Sequence, residues 1–595
     1  MFNSYHLFTV NIVLSIFIAL CILIYKFIYP KKNPPPLVLL FILSFLPVIS
    51  ILRRGTYESG DLATHTAFAI NFYENLKNGI LIPIWASQLC GNYGCPLFEF
   101  LYPLPFYISS LFHAIGFSFL NSTKLLLMSS YIASGFTMYF WAKDQFGKTA
   151  GFVAAVFYLF APYHLLDLHY RASVGEVLSF VFIPLVFLFA RKIIMSPKLI
   201  WIIFEAVSIA MLGLSHLATF LAVLHLVITY VIVLYIVRRP RRIDCLFYFG
   251  LSVLLGLLLS SYYWLPAVLE VKYTWYKFTG GSPQFVTLQS LLFSPSRYGL
   301  LFQGNNGEHR LIIGYAHLIA FIILVILLFK KKFIKKELMY VLWLLISFIF
   351  VVFMILPQSQ YVWKTLGYMN NFQFSWRLLI IVAFISSTIA GFIITKIKHK
   401  GIIILLCIFA ILSTILNWGN RKMVSEDKTA HIYEWVLYTE YNNESRLQDY
   451  TKRFDFNPPL FVKQLVMKYP KEPMSIIDGN GNVLSIDRTP IRHEYIVDAK
   501  GTLKLKENTN YFPGWTLKVN NKLEEINYRE RDHKGKMVFT LNPGLYHIVF
   551  IFEDTPVRHY SKIVSGITIS LLLALILVSR FFRIRYTLKN KRLKV

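Results

Sequence analysis

The chain has 595 residues, of which 56% are hydrophobic and only 15% are charged. This apolar excess is typical of an integral membrane protein and excludes an ordinary soluble enzyme, which would leave too much apolar surface in water. The formal net charge is +29, but the Lys and Arg residues lie in short tracts between apolar runs, which argues against a nucleic-acid partner.

Apolar runs of nearly membrane-spanning length recur along the chain. A helix needs roughly 20 apolar residues to cross the hydrocarbon core, and hydropathy indicates about thirteen such runs. We expect spans at residues 7–25, 37–52, 125–142, 149–166, 177–190, 199–215, 217–237, 246–265, 311–329, 338–356, 378–395, 401–418 and 563–582. The first run lacks a small-residue cleavage site, so we interpret it as a retained span rather than a signal peptide.

The basic tracts fall at alternate connections between these runs, which is the positive-inside pattern. Assigning them all to the cytoplasm places the N-terminus outside, the C-terminus inside and the chain in the cytoplasmic membrane as a multi-pass protein. This path requires residues 98–119 to stay on the outer side, although they are apolar. Their aromatic and proline-rich start, Pro96 to Pro105, favours an interfacial or re-entrant element.

The predicted fold class is an all-α polytopic membrane bundle with an extracytoplasmic β-sandwich-like domain before the last helix. Residues 1–418 form the membrane module, with outer loops at 53–124 and 270–310. Residues 419–561 form the mostly β domain, because apolar and polar residues alternate there, as in Thr502 to Lys506. Residues 562–595 hold the last span and a basic cytoplasmic tail. Cys90 and Cys95 lie outside, where a disulfide and two free thiols both stay open.

Asp61 begins the first outer region, a few residues beyond the second predicted span. A carboxylate at the outer interface is placed to take a proton from an acceptor hydroxyl or to bind a metal beside a lipid phosphate. The alternative is an N-cap for the amphipathic stretch that follows, since Asp is a favoured N-cap residue.

The short outer connection between the fourth and fifth spans concentrates ionisable groups between apolar segments: Asp167, His169, Arg171 and Glu176. Ionisable residues at membrane depth are functional candidates. Glu176 heads an apolar span, so its burial requires a proton, a metal or Arg171 as partner. The alternative is a structural ion pair between Arg171 and Glu176 that joins two helices.

Two further outer helix ends carry candidate substrate-binding residues. Arg377 follows Trp376 just before a span, where its guanidinium suits a phosphate and the aromatic neighbours suit a sugar face or prenyl chain. The alternative is an interfacial Trp and Arg pair. His216 lies at another outer helix end, where a packed hydrogen-bonding role competes with substrate binding. Glu205 and His225 are expected to pack between helices.

Several motifs together resemble the glycosyltransferase C superfold (GT-C), and in particular a prokaryotic membrane-protein group labelled 6-pyruvoyl-tetrahydropterin synthase-related. The motifs that carry the resemblance are Gly60-Asp61-Leu62 with His65, Tyr93 to Phe98, Tyr102-Pro103-Leu104, Tyr170-Arg171 with Glu176, Ser215-His216-Leu217 and Phe372 to Arg377. Ser375 stands where proline is expected, one extra span precedes the usual first helix, and a second acid beside Asp61 is missing.

The resemblance implies a GT-C-like transferase with Asp61 and Glu176 as catalytic residues. It implies His65, Asp167, His169, Arg171, His216, Trp376 and Arg377 as substrate-binding residues. A polyprenyl-phosphate sugar donor and an extracytoplasmic glycan, lipid or protein acceptor would be the partners. A divalent metal, Mg or Mn, held by Asp61, Asp167 and Glu176 stays open. The rival functions are a transporter of lipid-linked glycan or polysaccharide, in which the charges line a path, and a non-catalytic envelope scaffold.

Overall fold

The computed structural model describes most of the membrane module and the β domain. The described residues are 34–52, 55–57, 59–90, 92–238, 240–274, 284–293, 311–367, 372–397, 399–414, 418, 472–533 and 535–592, with a few positions between 17 and 29. The predicted span at 7–25 lies largely outside these residues. So do residues 419–471 and most of the outer loop at 270–310.

The membrane module is helical, as the hydropathy predicts. Its helices, numbered here in chain order, are α1 (Pro36–Val48), α2 (Leu62–Lys77), α3 (Leu97–Phe100), α4 (Leu104–Ala114), α5 (Phe119–Phe146), α6 (Lys148–Leu159), α7 (Pro162–Leu166), α8 (Val174–Met195), α9 (Leu199–Ser215), α10 (Leu217–Val237), α11 (Asp244–Leu259), α12 (Ser261–Glu270), α13 (Leu288–Leu292), α14 (Tyr315–Phe329), α15 (Lys335–Ile355), α16 (Gln360–Thr365), α17 (Leu379–Ile394), α18 (Lys400–Leu412) and α19 (Pro556–Arg592).

Within the described residues, six helices are long and apolar enough to cross a membrane, or eight if each of two bent pairs is one span. Every predicted span from residue 37 onward coincides with a helix or a bent pair. The number of about thirteen spans stays a prediction, because several of these helices are shorter than a bilayer requires.

Two of the predicted spans are broken, which the sequence analysis did not anticipate. The span at 149–166 bends by 44° between α6 and α7, and the span at 246–265 bends by 72° between α11 and α12. At the second break the hydroxyl of Ser565 from α19 lies 3.0 Å from the Ser261 hydroxyl and accepts a 3.0 Å hydrogen bond from the backbone N–H of Tyr262. The last helix therefore supplies polar partners that an interrupted helix needs inside a membrane.

The segment at 98–119 does not form a spanning helix. It contains the end of α3 and the helix α4 of 11 residues, which at 1.5 Å per residue is far shorter than the hydrocarbon core. Its place on the outer side of the membrane stays a prediction.

Ion pairs join helix ends that the predicted topology places on the cytoplasmic side. Arg191 of α8 lies 2.5 Å from Asp144 of α5, and Lys192 pairs with the same carboxylate. Lys396, just after α17, lies 2.7 Å from Glu337 of α15. The predicted assignment of these basic tracts to one side is therefore spatially consistent.

The C-terminal domain consists of two antiparallel sheets. Its strands are β1 (Met474–Asp478), β2 (Gly481–Arg488), β3 (Arg492–Ala499), β4 (Leu503–Asn510), β5 (Trp515–Val519), β6 (Lys522–Glu524), β7 (Lys536–Leu541) and β8 (Gly544–Phe552). The sheet orders are β1-β4-β7 and β2-β3-β8-β5-β6. Inward-facing residues of both sheets, such as Leu505 and Phe550, form one core, so the domain is a sandwich as predicted.

The β domain is packed against the first outer region rather than tethered loosely to it. Trp85 is fully buried in the sandwich core, with ring centroids 5.4 Å from Trp515 and 5.1 Å from Phe552. Arg558 at the start of α19 lies 2.8 Å from Glu99 and 2.6 Å from Glu270, and all three are buried. Because burial and the nearby Glu270 carboxylate both disfavour its charge, the pKa of Glu99 is raised well above its ordinary value.

Candidate functional site

Asp61 stands at the start of α2, and backbone hydrogen bonds hold it against the connection between α7 and α8. The N–H of Gly60 donates to the carbonyl of Tyr170 at 2.7 Å, and the N–H of Asp61 donates to the carbonyl of Arg171 at 2.9 Å. Asp61 occupies the N-cap position, but its side chain makes no capping hydrogen bond. The Ser59 hydroxyl instead accepts from the N–H of Leu62. The capping alternative therefore does not account for the Asp61 carboxylate.

The connection that receives Asp61 is a single π turn, Asp167–Arg171, followed by Ala172 at φ 50°. Such turns are frequent at functional sites because they displace side chains from the regular helix pattern. Here the turn directs Arg171 towards two fully buried carboxylates: it pairs with Asp167 and donates to Glu176 at 2.7 Å. His169 lies in the same turn and is buried, so its ring is not open to solvent.

Glu176 is the centre of a cluster of ionisable side chains, here called the ion cluster, which also contains Asp61, Asp167, Arg171 and Arg377. Its Oε1 accepts from Arg171 and lies 3.2 Å from Nε of Arg377, while its Oε2 accepts from the Tyr163 hydroxyl at 2.6 Å. The predicted structural ion pair with Arg171 is thus present, but it is one part of a larger network. A carboxylate with so many donors is held in one position and is poorly placed to accept a further proton.

Arg377 differs from Arg171 because its hydrogen-bond partners other than Glu176 are neutral oxygens. Its Nη1 donates to the carbonyl of Phe372 at 3.0 Å and its Nη2 donates to the amide oxygen of Gln373 at 3.2 Å. These partners are neutral, whereas Arg171 is shared by two carboxylates. Ser375, which stands where proline is expected, holds this segment with its hydroxyl 2.9 Å from the carbonyl oxygens of Gln284 and Ile355.

Aromatic rings cover one flank of the ion cluster. The Arg171 guanidinium lies 4.7 Å from the Trp376 ring centroid, and Trp376 stacks on Phe374 with centroids 4.7 Å apart. The Tyr163 ring completes this face at 6.3 Å from Trp376. This aromatic surface is apolar and lies beside the Arg171 guanidinium. Such a surface suits the face of a sugar or a prenyl chain.

Two histidines approach the cluster from neighbouring helices. The Nδ1 of His216 accepts from the N–H of Thr219 and so caps α10, while its Nε2 lies 3.9 Å from Glu176. His65 is buried one turn into α2. Burial lowers the pKa of His65, although the Asp61 carboxylate acts in the opposite direction, so the imidazole is neutral at neutral pH.

Tyr102 is a further candidate site residue, to which its sequence motif alone assigns no role. The half-buried ring contacts Gly175 and lies 5.3 Å from the His216 ring. Burial and the charge of Asp61 raise the pKa of the Tyr102 hydroxyl, while Arg377 lowers it, so the hydroxyl is a hydrogen-bond donor at neutral pH.

The predicted metal set does not fit this arrangement. Asp167 and Glu176 are committed to Arg171, and no group of three His, Cys, Asp or Glu side chains placed to hold a metal occurs among the described residues. The Asp61 carboxylate alone is one ligand, fewer than a protein-built site requires. The residues present therefore do not fit a metal ion.

Other predicted residues fall outside the cluster. Glu205 is buried in the middle of α9, as expected for packing between helices. His225 is exposed on α10, where its Nδ1 lies 2.6 Å from the Leu221 carbonyl. The expectation that His225 packs between helices is therefore wrong, because the ring satisfies itself against its own helix. Cys90 and Cys95, left open by their spacing, form a disulfide.

Comparison with known sequences gives a family match. The profile of the 6-pyruvoyl-tetrahydropterin synthase related domain, described as a membrane protein, matches residues 98–423. An uncharacterized protein of Lactococcus lactis subsp. cremoris strain MG1363 is 24% identical over 252 residues. That alignment covers 41% of this chain and 41% of the relative.

Solved structures with detectable similarity include an arabinofuranosyltransferase and an oligosaccharyltransferase. Arabinofuranosyltransferase AftD from Mycobacteria is 18% identical with a TM-score of 0.39, over 64% of this chain and 26% of that chain. An Archaeoglobus fulgidus oligosaccharyltransferase tethered with an acceptor peptide is 12% identical with a TM-score of 0.38, over 73% of this chain and 59% of that chain. Likeness at this level says nothing of this chain's own substrates.

Proposed function

We propose that this chain, which belongs to the 6-pyruvoyl-tetrahydropterin synthase related family of membrane proteins, is a glycosyltransferase that uses a lipid-linked sugar. In this proposal a sugar moves from a polyprenyl-phosphate donor to a hydroxyl of an extracytoplasmic glycan, lipid or protein. The active site is the ion cluster of Asp61, Asp167, Arg171, Glu176 and Arg377 at the predicted outer end of the membrane module.

The observation that carries the proposal is the position of Asp61. Its backbone is fixed to Arg171 and its carboxylate makes no capping hydrogen bond, whereas Asp167 and Glu176 are both engaged by Arg171. Asp167 and Glu176 are also fully buried, whereas Asp61 is partly exposed, so of the three carboxylates we assign Asp61 to take a proton from an acceptor hydroxyl. A half-buried carboxylate beside a buried ion network meets less water than one in bulk solvent, which favours general base catalysis.

Arg377 is the residue that we assign to the donor phosphate. Its side chain is 18% exposed, and Nη1 and Nη2 contact only neutral oxygens among the described residues. A phosphate oxygen can exchange with these partners without stranding a buried carboxylate. Arg171 cannot do so, because Asp167 and Glu176 are fully buried around it. We therefore assign Arg171 and Glu176 to positioning.

The reaction is a displacement at the anomeric carbon. The acceptor oxygen forms a bond to that carbon as the bond to the phosphate oxygen breaks, and the electron pair of the broken bond stays on the phosphate. The acceptor proton passes to Asp61, and Arg377 balances the charge that develops on the phosphate. Trp376 and Phe374 provide the apolar flank for the donor.

Mass spectrometry of envelope glycans from a strain that lacks the gene tests the proposal. We expect one sugar to be missing from a defined acceptor and the corresponding lipid-linked sugar to accumulate, with both restored by the wild-type chain. Unchanged glycan masses would reject the transferase. A transporter of lipid-linked glycan would instead move labelled substrate across proteoliposomes that contain the purified chain.

A further inference from the structure

Residues 84–98 form a hairpin closed by a disulfide, here called the cystine hairpin. Ala86 and Cys95 exchange two backbone hydrogen bonds, of 2.8 and 3.2 Å, and the N–H of Phe98 donates to the carbonyl of Ile84 at 3.1 Å. The disulfide between Cys90 and Cys95 joins the two sides of its tip. The hairpin is therefore cross-linked both by the backbone and by sulfur.

The tip of the cystine hairpin holds unfavourable backbone conformations. Cys90, Asn92 and Gly94 have φ values of 54°, 61° and 71°. Most side chains disfavour this left-handed region, although Asn adopts it more readily, so Cys90 is the residue whose conformation must be held by its surroundings. The disulfide links Cys90 to Cys95 and is one such constraint.

One side of the cystine hairpin contacts the β domain. The N–H and Nδ2 of Asn510 donate to the carbonyls of Tyr93 and Gly94, both at 2.8 Å. The Lys536 ammonium lies 3.1 Å from the Tyr93 ring centroid. Trp85 enters the sandwich core, and a side chain at Gly94 would collide with it. The tip conformation therefore positions the carbonyls and the ring that contact the β domain.

The other side of the cystine hairpin is connected to the candidate site in two ways: by hydrogen bonds to α2 and by the chain itself. The carbonyl of Trp85 accepts from Asn75 of α2 at 2.9 Å, and the N–H of Gln88 donates to Asn71 of α2 at 3.1 Å. Helix α2 begins at its N-cap, Asp61. Along the chain, the hairpin continues directly into α3 and then Tyr102, which faces the ion cluster.

We propose that the Cys90–Cys95 disulfide is a redox control point of the candidate site. In the oxidised state the cystine hairpin holds the β domain on one side and both Asp61 and Tyr102 on the other. Reduction lets the tip leave its left-handed conformation, frees Asn510 and Lys536 from their partners and loosens both routes to the site. The effect on sugar transfer rests on the proposed function, whereas the effect on docking does not.

The reductant is a dithiol, either a small molecule or an extracytoplasmic dithiol protein. Cys90 is partly exposed and Cys95 is buried, so a thiolate attacks Sγ of Cys90 and forms a mixed disulfide while Cys95 leaves as a thiolate and takes up a proton. The second thiol of the reductant then releases Cys90. Two electrons and two protons pass to the cysteines, and the dithiol becomes a disulfide.

Hydrogen exchange on the full-length chain in lipid nanodiscs tests the proposal, with and without dithiothreitol. Alkylation and peptide masses confirm that Cys90 and Cys95 have been reduced. We expect exchange at least about tenfold faster in residues 62–66, 97–102 and 508–512, with α17 unchanged and full recovery on reoxidation. Unaltered exchange after verified reduction would overturn the proposal.

Variants separate this inference from the proposed function. Cys90→Ser with Cys95→Ser should show the fast exchange without reductant and no response to it. Cys245→Ser, at a buried cysteine that is not in a disulfide, should behave like the wild type. Asp61→Asn should keep the complete redox response in exchange even though it transfers no sugar. If deletion of the gene alters no glycan, the exchange result still decides whether the disulfide controls docking. Sugar transfer that survives reduction alongside faster exchange would overturn the control of the site.

Discussion

The backbone N–H of Asp61 donates a 2.9 Å hydrogen bond to the carbonyl oxygen of Arg171. With the neighbouring bond from Gly60 to Tyr170, it joins the start of an outer helix to the π turn that carries the ion cluster. The Asp61 carboxylate is thus positioned by the backbone, while its oxygens remain available. A general base needs this combination of fixed geometry and an unoccupied acceptor.

Arg171 and Arg377 should respond differently to replacement by methionine. Arg171→Met leaves Asp167 and Glu176 buried without a shared cation, which we expect to cost about 3–5 kcal/mol of unfolding free energy. Arg377→Met leaves Arg171 on Glu176, so the fold should persist while transfer is lost. Thermal unfolding of the two purified variants in detergent measures the difference, and equal unfolding temperatures would refute the division of roles.

Gly175 should not tolerate a side chain. A Cβ at this position would lie 2.5 Å from the Tyr102 ring and 2.6 Å from the carbonyl of Ser215. We expect Gly175→Ala to displace Tyr102, with about 1–3 kcal/mol of strain and at least about a tenfold loss of transfer. Gly213→Ala is the matched control, since its Cβ would meet Phe220 at an ordinary 3.8 Å. Full activity in Gly175→Ala would show that Tyr102 is not needed.

Trp85 should stabilise the contact between the β domain and the membrane module. Trp85→Ala removes a fully buried ring from the sandwich core, at a cost of about 3–5 kcal/mol. Limited proteolysis of the membrane-embedded protein should then cleave the β domain faster. Leu81→Ala, at a position 76% exposed, should leave the cleavage rate unchanged, and equal rates for all three proteins would contradict the docking.

Acid should destabilise the β domain through Glu507. Burial alone would raise the pKa of this carboxyl, but His493 at 2.9 Å and Arg488 at 3.2 Å lower it to about 2 from an ordinary 4.5. A depressed carboxyl pKa stabilises the fold above the unfolded value and loses that stabilisation as pH falls from about 4.5 towards 2. The shift corresponds to about 3 kcal/mol. Tryptophan fluorescence of thermal unfolding should show the loss in the wild type and a flatter profile in Glu507→Gln.

Much of the fold could be predicted because apolar runs in a membrane can satisfy their backbone only as helices. The sequence placed α9 and α10 at their observed bounds, and the alternation in residues 502–506 indicated the sheet domain. The breaks before Pro162 and at Ser260 were missed. At Ser260 the partner that satisfies the break, Ser565, comes from a distant helix that local periodicity does not reveal.

The candidate site was only partly predictable for the same reason. Arg171 and Glu176 are near in sequence, so their ion pair was foreseen, but the approach of Arg377 to Glu176 depends on the packing of α17. Tyr102 was overlooked because tyrosine in an apolar loop carries no distinctive signal. Its ring packs against Gly175, where a Cβ would lie 2.5 Å from it, and a lone glycine in a predicted span does not reveal such a contact.

Replacement of Asp61 by asparagine in a complemented deletion strain tests most directly whether Asp61 is the catalytic base. We expect Asp61→Asn to lower sugar transfer by about 10²–10⁴-fold, so that the envelope glycan lacks the sugar while membrane levels of the protein are normal. Asp498→Asn, on an exposed strand position, serves as the matched control and should restore the glycan. Restoration of the glycan by Asp61→Asn at wild-type levels would contradict a catalytic role of Asp61.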